Sequence, residues 1–193
     1  MKRNIYILWG LTFFVVLLGC KNTSKSTEVS TEKEIHETDS FTVLTMDGEH
    51  KISIQEFVDR ANNGDRIAQY TVGQMFLSGD GIEQSNEYAA EWFNKSAEQD
   101  YAPGQHMLGL CYYQGIGVKQ SFSDAVKWYR KSAEQGYSYG QHCLGVCYLQ
   151  GQGVRKSERE AFKWFMKAAQ QGLAESQCNV ADCYLKRSWG RFL

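Results

Sequence analysis

Proline is almost absent from the sequence, with one residue in 193, and this scarcity favours long helices over a turn-rich β fold. A surplus of positive charge is also missing, because the formal net charge is −1, which argues against an electrostatic nucleic-acid binder. No catalytic constellation stands out. The 42% of hydrophobic and 22% of charged residues are close to the globular average, so wholesale disorder is excluded. The length fits one domain, or one domain plus a tail.

A short apolar stretch opens the chain. Two basic residues precede an apolar run from Ile5 to Leu18, about fourteen residues, whereas a bilayer-spanning helix needs about 20. Residues 1–19 therefore have the layout of a secretory signal peptide. The run ends in Leu17-Leu18-Gly19-Cys20, which resembles the lipobox of bacterial lipoproteins.

The lipobox resemblance implies cleavage before Cys20 and lipidation of that cysteine, and two or more acyl chains anchor a protein stably. The alternatives are an ordinary signal peptide or an uncleaved anchor. Lys21, rather than an aspartate, follows the cysteine, and this favours the outer membrane, with the protein facing the periplasm, if the source has two membranes. The expected location is the bacterial cell envelope.

A polar segment and a short N-terminal module come next. Residues 20–40 begin with the lipidated cysteine and contain two apolar residues after it, Val29 and Ile35, so they are predicted to be a disordered tether. Residues 41–63 are predicted to form a small β-hairpin around Asp47-Gly48 and then a capping helix. Ser53 is the expected N-cap of that helix.

A period of 36 residues organises the rest of the chain. It predicts repeat one at 64–99, repeat two at 100–135, repeat three at 136–171 and a partial repeat four at 172–193. Each complete unit has the pattern of two helices separated by a Gly-x-Gly turn. Aligned columns hold glutamine, tryptophan and glycine: Gln69, Gln105, Gln141 and Gln177; Trp92, Trp128 and Trp164; Gly79, Gly115 and Gly151.

These columns resemble the Sel1-like repeat family, relatives of tetratricopeptide repeats with a longer inter-helix loop. The segment GQHMLGLCYYQGIGVKQSFSDAVKWYRKSAEQ from Gly104 carries the pattern, as do its counterparts from Ala68 and Gly140. The resemblance covers residues 64–185. It implies an all-α, right-handed solenoid of helix-turn-helix repeats that acts as a scaffold or binds proteins, without enzymatic activity and without a cofactor.

Analogy with tetratricopeptide repeats places the first helix of each unit on the concave face. Of the twelve positions expected there, nine are apolar or tyrosine and none is charged, which suits an extended or helical peptide held by apolar side chains. The alternative is that the tether or the hairpin packs against some of them. The twelve are Ile67, Tyr70, Gln74, Leu77, Pro103, His106, Leu110, Tyr113, Tyr139, His142, Val146 and Leu149.

Five cysteines remain besides Cys20, and all of them fall in first helices. Cys111, Cys147 and Cys183 share one column, where the spacing between repeats puts them beyond disulfide reach. The pair left open is Cys143 with Cys178. A metal site at His106, His142 and Cys143 is not expected, because the repeat spacing works against convergence on one ion.

Two further hypotheses concern activity and self-association. The alternative function is that of a hydrolase acting on β-lactam or cell-wall substrates, like that proposed for cysteine-rich relatives in the family. A further alternative is that the chain is an inactive, truncated copy. The one S-x-x-K match, Ser30 to Lys33, lies in the tether, and neither S-D-N nor K-T-G occurs. Repeat four has a first helix alone in this sequence, so we expect that helix to pair with another copy or a partner, or to fray.

Overall fold

The computed structural model describes the backbone of residues 5–8, 14–18, 40–45 and 48–189 and the side chains of residues 53–185. The chain divides into two compact units, Met1–Ser85 and Asn86–Leu193. Cys20 and residues 21–39 of the predicted tether lie outside the described residues. Lipidation at Cys20 therefore stays a prediction.

An antiparallel sheet opens the first unit, with four described strands in the order β1-β2-β3-β4. In the hairpin of β3 and β4, Ser40 lies opposite Ser53 and Thr45 lies opposite Gly48. Residues 46 and 47, and with them the predicted Asp47-Gly48 turn, lie outside the described residues. The strands are β1 (Ile5–Leu8), β2 (Phe14–Leu18), β3 (Ser40–Thr45) and β4 (Gly48–Ser53).

Two helices complete the first unit, α1 (Ile54–Asn62) and α2 (Arg66–Ser78), and they pack against each other. Ser53 caps α1 as predicted, because its Oγ accepts a hydrogen bond from the backbone N–H of Glu56 at 3.1 Å. Asp65 caps α2 in the same way through the backbone N–H of Ile67 at 2.9 Å. Such side chains satisfy backbone N–H groups that have no partner within the helix, so these residues fix where each helix begins.

Six helices form the described part of the second unit. Each packs against the next one along the chain, and α4 also contacts α6. This stack of helix-turn-helix repeats is an α-solenoid, the predicted fold class. The helices are α3 (Asn86–Glu98), α4 (Ala102–Gln114), α5 (Phe122–Glu134), α6 (Ser138–Gln150), α7 (Glu158–Gln170) and α8 (Ala174–Trp189).

Aromatic, aliphatic and small side chains fill the space between these helices. The fully buried ones include Phe93, Tyr129 and Phe165, each of which follows a tryptophan of the repeat. The tryptophans themselves are half-buried. A lysine ammonium lies 3.8, 4.3 and 4.1 Å from their ring centroids, as cation–π pairs at the helix surface: Trp92–Lys95, Trp128–Lys131 and Trp164–Lys167.

The inter-helix loops rest directly on the backbone of the preceding repeat. Gly117 and Gly153 have φ of 65° and 70°. A Cβ at Gly117 would lie 1.9 Å from the Asn86 carbonyl oxygen, and one at Gly153 would lie 2.1 Å from the Phe122 carbonyl oxygen. Asn86 and Phe122 are the first residues of α3 and α5. The second glycine of each Gly-x-Gly turn is therefore required by contact between repeats as well as by its conformation.

The glutamine column joins each first helix to the helix before it. Gln105 Nε2 donates to the carbonyl oxygen of Ala97 at 3.3 Å, and Gln141 Nε2 donates to that of Ala133 at 3.2 Å. Both side chains are buried. Gln105 Oε1 accepts a hydrogen bond from Gln135 Nε2 at the end of α5, and Gln141 Oε1 accepts one from Gln171 Nε2 at the end of α7. These bonds satisfy buried amides, which would otherwise be costly to hold in the core.

Helix α8 continues beyond the point where its counterparts end. Helices α4 and α6 each end at a glycine in the left-handed conformation, Gly115 and Gly151. The equivalent position in α8 is occupied by Arg187. Because no glycine stops it there, α8 extends to Trp189. Among the described residues, no helix combines the length and the apolar character needed to cross a membrane.

Candidate functional site

Charge separates the first helices α4 and α6 from the second helices α5 and α7. Neither α4 nor α6 contains an Asp, Glu, Lys or Arg anywhere in its 13 residues. Helices α5 and α7, of the same length, carry several charges of both signs. Ordinary surface helices carry charged residues on their solvent side. An uncharged helix that keeps part of its surface exposed is therefore a candidate for an interface.

The predicted binding positions differ in how much surface they offer. In the first unit, Ile67 is 45% exposed, whereas Tyr70 is 6% exposed and its hydroxyl accepts from Gln74 Nε2 at 2.9 Å. Tyr70 therefore belongs to the core, because its ring packs inward from α2. In the second unit Tyr139 is 48% exposed. The others there are partly exposed: Pro103, His106, Leu110, Tyr113, His142, Val146 and Leu149.

One end of the α4–α6 pair carries a cluster of aromatic rings around His106. The ring centroid of His106 lies 5.7 Å from that of Tyr137, 5.9 Å from that of Tyr139 and 6.0 Å from that of Tyr129. Tyr137 and Tyr139 are 5.7 Å apart. His106 Nε2 also lies 3.6 Å from Cys143 Sγ. These contacts hold the exposed ring of Tyr139 on a fixed aromatic base.

The other end of the pair is a polar triad that joins α4 to the end of α6. The single hydrogen of the Tyr113 hydroxyl is shared between Gln150 Oε1, at 3.1 Å, and Gln152 Oε1. The Tyr113 ring packs edge-on against Phe122, with 5.2 Å between centroids. Leu110 and Val146 lie one helical turn before Tyr113 and Gln150, and both are partly exposed. An apolar strip therefore separates the aromatic end from the polar one.

His142 links α6 to α8 rather than to α4. Its Nδ1 forms a 2.8 Å hydrogen bond with Ser176 Oγ, and its ring centroid lies 5.6 Å from that of Phe165. His106 therefore lies between α4 and α6, whereas His142 lies between α6 and α8.

Two large apolar or aromatic side chains are exposed on α8: Tyr184 at 57% and Leu185 at 58%. Their exposure favours the expected self-association through this helix, which stays a prediction.

Both histidines are neutral at pH 7. Burial lowers the pKa of His106 to about 4, with a smaller contribution from His142, and burial also lowers the pKa of His142. The neighbouring Cys143 and Tyr137 keep their protons, because burial raises the pKa of each to about 12. The surface therefore carries no charge, and Cys143 has no thiolate with which to act as a nucleophile.

The five cysteines after Cys20 are all free thiols, including Cys143 and Cys178, the pair that the sequence left open. In the part of the chain with described side chains, no three His, Cys, Asp or Glu residues converge on a metal position. Sequence reasoning missed Tyr137, Gln150 and Gln152 as parts of this surface. Tyr137 precedes α6, and the glutamines lie at its end, outside the columns of core-facing residues that carried the prediction.

Comparison with known families bears out the repeat pattern. The family model described as Sel1 repeat matches residues 66–101, 102–137, 138–173 and 174–190. Its units keep the period of 36 but begin two residues later than the units predicted above. The first three matches each contain a first and a second helix, whereas the fourth contains the first helix alone. A comparison with curated protein sequences gives no significant match.

Solved structures show the same fold. A protective antigen of uropathogenic Escherichia coli, described as having an SLR fold, matches with a TM-score of 0.68 and 36% identity over 70% of this chain. A Sel1 repeat protein from Oxalobacter formigenes matches with a TM-score of 0.59 and 35% identity over 61% of this chain. The chain covers 29% of the first protein's length and 49% of the second's. Helicobacter pylori cysteine-rich protein B matches with a TM-score of 0.55 and 23% identity, and the match covers 66% of this chain and 93% of that protein. This likeness shows a shared fold alone.

Proposed function

Because the chain belongs to the Sel1 repeat family, whose members commonly serve as protein-interaction scaffolds, we propose that it is a lipid-anchored adaptor of the bacterial cell envelope. It binds a protein or peptide partner through the exposed surface of its first helices. The observation that carries this proposal is the uncharged character of α4 and α6 beside the partly exposed rings of Tyr113 and Tyr139. Tyrosine gives large contact areas at low entropic cost and is enriched in binding hot spots.

The anchor and the location are the second part of the proposal. The lipobox-like Leu17-Leu18-Gly19-Cys20 supports lipidation at Cys20, and Lys21 supports the outer membrane with the repeats in the periplasm. The proposed role is binding and not catalysis. The protonated Cys143 beside a neutral His106 supports this view, since a Cys–His nucleophile needs a thiolate. Hydrolysis of nitrocefin by the purified chain would contradict it.

The binding proposal is tested by partner capture from envelope extract with two matched pairs of substitutions. Tyr113→Ala with Tyr139→Ala should weaken capture by about 2 kcal/mol or more if the two rings are hot spots. Lys127→Ala with Lys163→Ala, on the exposed side of α5 and α7, should leave capture unchanged. Circular dichroism checks that helical content is the same in both. Capture lost with the lysine pair but kept with the tyrosine pair would move the interface to the second helices.

A further inference from the structure

The surface between α4 and α6 has a chemistry that restricts its partner further, and this inference rests on the function proposed above. The surface comprises the aromatic cluster of His106, Tyr137 and Tyr139, the strip of Leu110 and Val146, and the triad of Tyr113, Gln150 and Gln152. Hereafter it is the α4–α6 surface. Contacts between the two helices at both ends fix its geometry.

Charge excludes several partners. The helices α4 and α6 contain no acidic or basic residue, and the lowered pKa values of His106 and His142 keep both imidazoles neutral at pH 7. An acidic or basic peptide would have to give up hydration of its charges without gaining an ion pair from these helices, which is unfavourable. The part of a partner that rests on this surface is therefore uncharged.

The polar triad keeps amide N–H donors that have no acceptor among the described residues. The Oε1 atoms of Gln150 and Gln152 both face the Tyr113 hydroxyl and share its one hydrogen. Each glutamine keeps two N–H donors on Nε2, and no described residue accepts from them. A helical or strand-paired peptide has few unoccupied carbonyl groups to receive these donors. A polyproline II segment has no internal hydrogen bonds, so its carbonyl oxygens are all available.

The aromatic end completes the match. Tyr139 is 48% exposed above His106 and Tyr137, and such rings bind the flat, apolar face of a proline ring. From Tyr139 to Gln150 there are eleven helix positions, about 16 Å at about 1.5 Å per residue. A polyproline II segment of about five residues covers that length at about 3.1 Å per residue. We infer that the α4–α6 surface binds an uncharged, proline-rich segment of the partner in the polyproline II conformation.

The test measures binding of a fluorescein-labelled decaproline peptide to the full-length chain in detergent micelles, by fluorescence anisotropy. A Gly-Ser decapeptide with the same label is the control for flexibility, and chitohexaose serves as a competing glycan. Decaproline should bind with a Kd below about 1 mM and the Gly-Ser peptide at least about tenfold more weakly. Tyr139→Ala should weaken decaproline binding about tenfold, since it removes the exposed ring.

Two further variants separate specific binding from general loss of an aromatic ring. Tyr88→Ala removes an equally exposed tyrosine, 48%, from α3 and should leave the Kd unchanged. Tyr113→Phe keeps the ring and removes the hydroxyl that orders the glutamines, so binding should weaken about fivefold. Equal effects of Tyr88→Ala and Tyr139→Ala would overturn the inference.

The remaining outcomes separate this inference from the proposed function. If decaproline does not bind while partner capture still depends on Tyr113 and Tyr139, the proline-rich partner is wrong and the adaptor function stands. If chitohexaose binds in its place and depends on Tyr139, the surface recognises a glycan and the inference is overturned. If neither probe binds and capture ignores the tyrosine pair, both proposals fail.

Discussion

Pairs of small side chains set how closely neighbouring helices approach in the second unit. A Cβ at Gly104 would lie 2.5 Å from Ser96 Oγ, and one at Gly140 would lie 2.4 Å from Ser132 Oγ. In the next repeat the equivalent pair is Ala168 and Ser176, where the smaller residue has moved to the other helix. The total volume at each crossing is thus kept small, as close packing of the core requires.

The Gly140 crossing gives a prediction about coupling between two residues. Gly140→Ala should lower the free energy of unfolding by about 1–3 kcal/mol, because the new methyl group collides with Ser132 Oγ. Ser132→Ala alone should cost about 1 kcal/mol, since it removes the 2.8 Å hydrogen bond to the Ala102 carbonyl oxygen. The double variant should be more stable than the sum of the two effects predicts, measured by urea unfolding. Strict additivity would show that the cost of Gly140→Ala comes from the other close atoms, Ser132 Cβ at 2.8 Å and Ala133 N at 3.0 Å, and not from Ser132 Oγ.

His106 predicts a pH dependence of stability. Its folded pKa is about 4, lowered by burial and by His142, whereas a histidine in an unfolded chain has a pKa of about 6.5. Below pH 6.5 the unfolded chain binds a proton that the folded chain excludes. The free energy of unfolding should therefore fall between pH 6.5 and pH 4, by about 2–3 kcal/mol from this residue, while above pH 6.5 the stabilisation is fully present.

The urea midpoint at pH 7 and at pH 4.5 checks this dependence. His106→Phe, which keeps an aromatic ring in the cluster, should reduce the difference between the two midpoints. His142→Gln should retain the larger part of the difference, because His142 is less deeply buried than His106. A difference in His106→Phe equal to that of the unaltered chain would assign the pH effect to other groups.

At the scale of helices and loops, local signals in the sequence were sufficient to place the elements. Ser53, Ser121 and Ser157 each cap a helix through the backbone N–H three residues later, and a glycine ends α4 and α6. The contacts of Tyr113 with Gln150 and Gln152 could not be predicted in the same way. These contacts join residues that are 37 and 39 positions apart in the sequence. The alignment of 36-residue repeats shows which residues occupy equivalent positions, but it does not show which side chains are in contact.

Gly153 tests the contact between a loop and the preceding repeat. Gly153→Ala should lower the free energy of unfolding by about 3 kcal/mol or more, because the Cβ would overlap the Phe122 carbonyl oxygen at the start of α5. Gly136→Ala is the matched control. That glycine also has a positive φ, 90°, but a Cβ there meets nothing within 4 Å, so only about 1 kcal/mol of backbone strain is expected. Similar losses in the two variants would mean that conformation alone requires Gly153.

Over the whole molecule, the sequence predicted the repeat architecture well because repetition multiplies a weak signal. A single Gly-x-Gly turn or tryptophan indicates little, whereas the same residue at positions 92, 128 and 164 fixes the period. The side chains on the concave positions were harder to assign. Tyr70 shares a column with His106 and His142, yet it is buried while they are partly exposed, because each repeat has different neighbours across its helices.

The proposed attachment to a membrane concerns the whole chain, and the proposal rests on one residue outside the described structure, Cys20. Cys20→Ser should abolish incorporation of radiolabelled palmitate and release the protein from the membrane fraction, since the repeats have no described helix that could cross a bilayer. Cys178→Ser is the control, because this exposed thiol lies on α8 and follows no apolar run. The control should be labelled like the unaltered chain. If Cys20→Ser still incorporates palmitate and Cys178→Ser does not, the lipid is not attached where the N-terminal pattern predicts. If Cys20→Ser is unlabelled but stays in the membrane fraction, the apolar run of residues 5–18 is itself the anchor.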